Sequence, residues 1–209
     1  MELLRKYFPQ LSDEQMDRYE ILSRELKDWN NKINVISRKD TDHLEERHIL
    51  HSLAISRFIS FKPGTRIMDI GTGGGFPGLP LAIMFPDCSF TLVDSIAKKI
   101  KVVSELAAAC NLDNVIAIQA RAESLDQQVD FVVSRAVTAF PAFYRWTKKL
   151  IRPGDDNPYP NGIIYLKGGD LSAELGGFGK RIRYYPISSW FLEEWFEEKG
   201  IVYLPVSNR

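Results

Sequence analysis

The sequence has 209 residues, 44% of them hydrophobic, which is enough for one large α/β domain with a substantial core. Its 27 lysines and arginines balance its 27 aspartates and glutamates. This balance excludes the strong positive field of an indiscriminate nucleic-acid binder, so any nucleic-acid partner must be bound by a local patch.

The cysteines and the amino terminus bear on the cellular compartment. Cys88 and Cys110 are too few for a disulfide framework, and their spacing does not fit a zinc site, so we predict no metal. The amino terminus lacks the long apolar segment of a secretion signal, and no later apolar run is long enough to span a bilayer. We therefore expect a cytoplasmic protein without membrane contact.

Two helical patterns come first in the chain. In the pattern over residues 12–35, Ser12 and Gln15 form a capping box. Its apolar residues recur on one face, as expected of a helix packed on a core: Met16, Tyr19, Leu22, Leu26, Trp29 and Ile33. The second pattern extends from about Asp42 to Phe58. Together they predict a helical cap over residues 1–60, packed on a main domain of residues 61–209.

From residue 65 onward, short β-branched runs alternate with helical runs, a pattern typical of a mostly parallel sheet with helices on both faces. Seven strands are predicted: 66–70, 90–94, 115–119, 131–134, 163–167, 181–185 and 201–204. Ser95 is expected to cap a helix whose apolar stripe comprises Ile96, Ile100, Val103, Ala107 and Cys110. The composition of residues 153–162 predicts a loop. An aromatic segment at 190–196 is expected to join the last two strands.

The most informative motif follows the first strand. Asp69 precedes a turn containing Gly71, Gly73 and Gly75, which permit positive φ and a close approach of the backbone to a ligand. Phe76 occupies the place of the third glycine of a dinucleotide fingerprint, and the lysine of a phosphate-binding loop is absent. The motif therefore favours a nucleoside-like ligand over one held by its phosphates.

Asp94 ends the second strand, where a carboxylate can accept hydrogen bonds from both ribose hydroxyls. An adenosine ligand without a pyrophosphate fits this pattern, so we predict S-adenosylmethionine as the cofactor. Ala122 and Glu123, after the third strand, are expected to contact its adenine. Arg135, after the fourth strand, either neutralises a carboxylate or phosphate at the pocket or forms an ordinary surface ion pair.

The sequence contains no obvious general base, and one class of methyl acceptor needs none. Guanine N7 has a free lone pair and no proton to remove. Transfer to this atom depends on alignment, so no acid or base residue is assigned. His48 and His51 either contact the substrate or pack within their helix.

Residues 69–78, with 47–50 before them and 92–95 and 134–136 after them, resemble the bacterial ribosomal RNA small-subunit methyltransferase G family, formerly called glucose-inhibited division protein B. The resemblance covers nearly the whole chain. It implies a class I, Rossmann-like fold and methylation of guanine N7 in 16S ribosomal RNA of the small ribosomal subunit. It also implies cofactor contacts at Gly71, Phe76, Ala122, Glu123 and Arg135.

Three further residues are candidates for substrate contact. Arg47 and His48 belong to a matching family motif, and Lys167 either meets an RNA phosphate or is an ordinary solvated lysine. Two other functions stay open: a methyltransferase acting on a small molecule or a protein, and a non-catalytic ribosome-binding module. We expect a monomer in each case.

Overall fold

Seven short strands rich in β-branched residues form one sheet in the computed structural model, which describes residues 1–206 except the side chains of Arg38 and Lys39. The strands are β1 Arg66–Ile70, β2 Ser89–Asp94, β3 Val115–Gln119, β4 Phe131–Arg135, β5 Gly162–Gly168, β6 Arg183–Pro186 and β7 Lys199–Pro205. Each predicted strand overlaps one of them. The start of β6 lies two residues after its predicted start, because Gly176–Arg181 forms a 3₁₀ segment.

The sheet has the strand order β3-β2-β1-β4-β5-β7-β6. β1 to β5 are parallel, and β7 runs antiparallel to both of its neighbours. The chain therefore leaves β1 first toward β2 and later returns to β4 on its other side. Connections that diverge in this way open a crevice at the carboxyl ends of the strands, where ligands bind in open α/β sheets. The predicted fold class is confirmed.

Side chains of the central strands are buried on both faces of the sheet, as parallel strands require. On β1, Ile67 packs into the layer that contains the amino-terminal helices, whereas Met68 packs into the opposite layer. The helices are α1 Glu2–Tyr7, α2 Asp13–Lys32, α3 His51–Phe58, α4 Gly78–Met84, α5 Ala97–Ala109, α6 Phe140–Thr147 and α7 Ser172–Leu175. Among residues 1–206, none of these helices is long and apolar enough to cross a membrane.

The capping box predicted for α2 is present. The Ser12 hydroxyl accepts a hydrogen bond from the Gln15 backbone at 3.2 Å, and the Gln15 side chain accepts one from the Ser12 backbone at the same distance. The helix ends at Lys32 rather than at residue 35, because the Asn30 side chain accepts the N–H groups of Val35 and Ile36 at 2.9 and 3.0 Å. These amides are bound in a turn instead of in the helix.

The second helical segment is not one regular α-helix. A 3₁₀ segment at Arg38–His43 is followed by a π-helical segment at Glu45–Leu50, which continues into α3. The hydrophobic pattern indicated helix correctly but carried no sign of this change in winding. π-Helical turns are rare and occur frequently at functional sites, which makes residues 45–50 of interest.

The cap predicted for α5 is wrong. The residue that precedes this helix is Ile96, and its N–H donates to Asp94 Oδ1 at 3.0 Å, so a carboxylate and not the Ser95 hydroxyl holds the turn. Ile96 also leaves the predicted buried stripe, with 47% of its surface exposed. Val103 and the following members of the stripe are buried or nearly so, as predicted.

The aromatic segment before β7 completes the core. Phe191 and Phe196 are fully buried, and their ring centroids lie 5.1 Å apart. Phe191 also packs edge-on against Tyr7 of α1 at 4.8 Å. The Tyr7 hydroxyl and Lys6 both donate to the carboxylate of Glu193. The segment therefore attaches the start of the chain to the main domain.

Phe191→Ala should lower the free energy of unfolding by about 3 to 5 kcal/mol, since truncating a fully buried phenylalanine leaves a cavity. The adjacent Leu192 is 81% exposed, and Leu192→Ala should change this free energy by less than about 0.5 kcal/mol. Urea denaturation of both variants measures the difference. Equal effects would show that the segment is not part of the core.

Candidate functional site

The glycine-rich loop adopts the backbone conformation that its sequence predicts. Gly71, Gly73 and Gly75 have φ angles of +73°, +59° and +94°, in the region that side chains with a Cβ rarely adopt. The loop leads from the end of β1 into α4. A Cβ at Gly75 would lie 2.3 Å from the Leu79 side chain, so a larger residue there would also collide with that helix.

Asp69 closes this loop and is fully buried. Its Oδ2 accepts hydrogen bonds from the Thr72 hydroxyl at 2.7 Å and from the Gly78 N–H at 2.9 Å. Its Oδ1 is buried without a hydrogen-bond partner among the residues that the structure describes. Burial raises the pKa of this carboxyl to about 7, although Thr72 and Gly78 oppose the shift.

A cavity of about 520 Å³ opens beside the loop at the carboxyl ends of β1 to β4. It brings together five residues that were predicted to bind the cofactor: Gly71, Asp94, Ala122, Glu123 and Arg135. Among the other lining residues, sequence reasoning missed three that are charged or aromatic: Lys99, Arg121 and Trp146. Arg121 directly precedes the predicted pair at 122–123, whereas Trp146 reaches the cavity from α6, far along the chain.

Asp94 connects this cavity to the glycine loop. Its Oδ2 accepts a hydrogen bond from the Gly73 N–H at 3.0 Å and lies 3.8 Å from Lys99 Nζ. Its Oδ1 accepts the Ile96 N–H at the start of α5. Asp94 therefore holds the turn that leads into α5 and also presents its carboxylate to the cavity. Gly73, which was also predicted to bind the cofactor, is not among the lining residues and is connected to the cavity through this hydrogen bond.

Phe76 does not line the cavity. Its side chain is buried, its ring lies 5.1 Å from the ring of His48, and the guanidinium of Arg135 lies over it at 5.2 Å. A cation placed over an aromatic face in this way is stabilised by the ring quadrupole. Phe76 thus contacts the predicted site through Arg135, an arrangement that its position in the loop sequence did not indicate.

Arg135 is held in a fixed orientation by the π-helical segment. Its Nη1 donates to the Arg47 carbonyl at 3.1 Å, and its Nη2 lies 2.9 Å from His48 Nδ1. An arginine can only donate, so Nδ1 is the acceptor and the neutral ring carries its proton on Nε2. Burial lowers the pKa of His48 to about 3 and that of Arg135 to about 10. At pH 7 the pair is a neutral imidazole and a charged guanidinium.

A second cavity, of about 400 Å³, lies on the other side of Arg135 and Ala136. It brings together the three candidates for substrate contact, Arg47, His48 and Lys167. Sequence reasoning missed three charged or aromatic residues that also line it: Asp40, Trp195 and Lys199. Asp40 is far along the chain from Trp195 and Lys199, so no local motif could have joined the three.

Several lysine and arginine side chains, including the predicted Lys167, are paired with carboxylates. Lys167 Nζ lies 2.6 Å from Glu174 Oε1, which compensates its charge at the rim of the second cavity. Lys149 Nζ lies 3.2 Å from Asp126, and Arg152 is ion-paired with Asp130. Lys99, which lines the first cavity, lies 3.8 Å from Asp94 Oδ2.

Comparisons with known proteins agree with this geometry. A family model described as rRNA small subunit methyltransferase G matches residues 14–184. Ribosomal RNA small subunit methyltransferase G of Christiangramia forsetii is 52% identical over 209 residues, covering 100% of this chain and 99% of that relative. The protein of the same name from Bacteroides thetaiotaomicron is 51% identical over 203 residues, covering 97% and 98% of the two chains.

Among solved structures, a SAM-dependent methyltransferase from Aquifex aeolicus has a TM-score of 0.59 at 16% identity, covering 82% of this chain and 100% of that one. A seven-stranded sheet of this order, with a glycine-rich loop after its first strand, defines a class I S-adenosylmethionine-dependent methyltransferase. The chain belongs to the rRNA small subunit methyltransferase G family. Family and fold confirm the predicted resemblance and the predicted cofactor.

Asp69→Asn should alter how stability depends on pH. An unfolded aspartate has a pKa of about 3.9. From about pH 4 to pH 7 the folded state therefore keeps a proton that the unfolded state has lost, and the Asp69 contribution to stability falls as the pH rises. Asparagine does not ionise, and its oxygen can still accept from Thr72 and Gly78.

Between pH 5 and pH 8, the free energy of unfolding of Asp69→Asn should therefore rise by about 2 to 3 kcal/mol relative to that of the wild type. Urea denaturation at the two pH values measures this gain. Asp155→Asn, in an exposed loop, controls for the loss of one negative charge. A difference between Asp69→Asn and the wild type that is the same at both pH values would contradict the raised pKa.

Proposed function

We propose that this enzyme transfers a methyl group from S-adenosylmethionine to N7 of a guanine in 16S ribosomal RNA. Methylation of small-subunit ribosomal RNA follows from the family. The observation that supports the proposed cofactor and acceptor sites is that two cavities meet at Arg135 and Ala136. One lies at the strand ends beside the glycine loop, and the other faces the amino-terminal helical segment.

The first cavity fits the cofactor in size and in the chemistry of its lining. About 520 Å³ is within the usual range for a small-molecule site. We propose that the backbone at Gly71 and Gly73 approaches the ligand and that Asp94 accepts from its ribose hydroxyls. Ala122 and Glu123 would contact the adenine from the sheet edge. When bound, S-adenosylmethionine supplies an electrophilic methyl group on a sulfonium.

Arg135 lies between the cofactor cavity and the proposed acceptor cavity. Its side chain is fixed from three directions by Phe76, His48 and the Arg47 carbonyl. We propose that it neutralises the cofactor carboxylate and so helps to set the direction in which the methyl group faces the acceptor. Holding two reactants in line contributes roughly 7 to 11 kcal/mol to the lowering of a reaction barrier.

The protonation properties of the histidines support an acceptor that needs no base. Burial lowers the pKa of His48 to about 3 and the pKa of His51 well below its ordinary value. Groups this weakly basic are poor general bases near neutral pH. Guanine N7 brings its own lone pair and has no proton to lose, so alignment alone suffices.

We also propose that residues 1–60 form a helical cap on the main domain and supply part of the acceptor site. The cap includes Arg47 and His48, which line the second cavity. The exposed large apolar side chains belong to separate segments, which supports a monomer: Ile96, Ile116, Val137, Tyr184 and Leu192. An enzyme that acts on ribosomal RNA is expected to work in the cytoplasm.

Purified protein with labelled S-adenosylmethionine should convert one guanine of small-subunit RNA, free or in the assembled particle, to 7-methylguanosine. Nucleoside mass spectrometry identifies the product. Replacing the target by 7-deazaguanosine removes the acceptor nitrogen and should abolish transfer. Affinity for the RNA should fall as salt rises, as expected for a substrate with many phosphates. Label on another atom, or none on either form of the RNA, would contradict the proposal.

Gly73→Val should weaken cofactor binding at least tenfold in isothermal titration calorimetry, because its branched side chain would extend into the open space next to the Gly71 carbonyl, where the backbone is proposed to approach the ligand. Gly179→Val is the matched control, since Gly179 has φ +54° against +59° at Gly73, and at neither position would an added Cβ lie closer than 4.0 Å to another protein atom. Both substitutions place a β-branched residue at a positive φ, which side chains with a Cβ disfavour. Equal affinity in the two variants would remove Gly73 from the cofactor site.

A further inference from the structure

The second cavity has the lining of a site for a polar, planar base. Its volume of about 400 Å³ lies within the range of small-molecule sites. Cationic side chains at Arg47, Arg135, Lys167 and Lys199 surround it. Among the described residues that line it, Asp40 carries the one carboxylate. Such a mixture offers hydrogen-bond donors on most sides and a strong acceptor on one.

The Asp40 carboxylate is accessible and retains acceptor capacity. Its side chain is 32% exposed, and its Oδ1 accepts from Arg47 Nη1 at 2.9 Å. An ionised carboxylate has about four acceptor positions, so this bond leaves others for a ligand. Arg47 Nε is buried without a hydrogen-bond partner among the described residues. The Arg47 side chain as a whole is 27% exposed and lines the cavity, and a guanidinium has five N–H donors, so others are left for a ligand oxygen.

The chemistry of guanine matches this arrangement. N1–H and the exocyclic N2 amino group are two adjacent donors on the edge away from N7, and O6 is an acceptor next to N1. One carboxylate can accept from both donors in parallel, as it does with arginine. Adenine offers no N1–H and no amino group at C2. A carboxylate on this edge therefore selects guanine.

We propose that the second cavity receives the target guanine, with Asp40 accepting from its N1–H and N2 amino groups and Arg47 donating to O6. N7 then faces the wall formed by Arg135 and Ala136, beyond which the cofactor cavity lies. This assignment rests on the proposed guanine-N7 activity. It identifies Asp40 as the residue that determines base specificity.

The chain fixes Asp40 relative to the glycine loop. The Asp40 N–H donates to the Ser37 carbonyl at 3.0 Å, which closes the turn that carries the carboxylate. Just before this turn, Val35 and Ile36 are bound by Asn30 and lie against Gly74, where a Cβ would be 3.4 Å from each of their side chains. The Asp40 carboxylate is thus held in a fixed position relative to the proposed cofactor loop.

The test combines a change in the protein with a change in the base. Inosine lacks the N2 amino group but keeps N7, O6 and N1–H, so it removes one of the two donors that Asp40 would bind. With the wild-type enzyme, RNA carrying inosine at the target should have a kcat/KM about tenfold or more below that of guanine RNA. With Asp40→Ala, transfer to guanine RNA should be slower, and the inosine penalty should shrink to about twofold or less.

Asp42→Ala is the matched control, because Asp42 is an exposed aspartate of the same 3₁₀ segment and does not line the cavity. It should keep the full inosine penalty. Cofactor affinity, measured by calorimetry, should be unchanged in both variants, which shows that each is folded. Asp40→Asn, which keeps one acceptor oxygen and the shape of the side chain, should show an intermediate penalty and serves if the alanine variant does not fold.

A full inosine penalty in Asp40→Ala or Asp40→Asn, with wild-type methylation of guanine N7 intact, would overturn the assignment of Asp40 and leave the proposed function standing. Absence of methylation by the wild-type enzyme would overturn both. A wild-type enzyme that methylates inosine and guanine RNA equally well would also overturn the assignment, because no residue would then read the N2 amino group.

Discussion

The buried carboxylate of Asp69 is the interaction on which the site depends. It draws the Thr72 hydroxyl and the Gly78 N–H onto a single oxygen and so folds the glycine loop back over the end of β1. The loop then presents the Gly73 N–H to Asp94 on the neighbouring strand. Two adjacent strand ends are thereby joined through one turn. The cost of burying Asp69 is visible in its pKa of about 7, well above that of a solvated carboxyl.

Arg135 has a comparable role at the boundary between the two cavities. A guanidinium this deeply placed would be free to occupy several rotamers if nothing held it. Phe76 lies beneath it, while His48 and the Arg47 carbonyl accept its N–H groups. Because burial keeps His48 neutral, its Nδ1 remains an acceptor across the physiological pH range. The glycine loop and the amino-terminal helical segment therefore both contact the Arg135 side chain.

This coupling gives the amino-terminal segment a direct part in the proposed chemistry. The turn after α2 lies on Gly74, and the π-helical segment supplies the partners of Arg135. A π-helical turn contains more residues than an α-helical turn, so it changes the angle at which each side chain leaves the helix axis. The π-helical segment therefore affects which side chains reach the second cavity. The aromatic segment around Phe191 and Phe196 holds the beginning of the chain against the same region. The proposed acceptor and cofactor sites thus share one packed core.

The sequence by itself determined the parallel sheet, the glycine loop and the position of Asp94, because these features depend on local periodicity and on residues that tolerate positive φ. Its motifs also indicated the family. It could not place Phe76 beneath Arg135, move the cap of α5 from Ser95 to Ile96, or join Asp40 with Lys199 and Trp195 around one cavity. Those outcomes depend on which distant segments pack together, and side-chain contacts of that kind leave no periodic or short-range signal. Only the tertiary structure decides them, since the crevice at the strand ends exists only after β1 and β4 are adjacent.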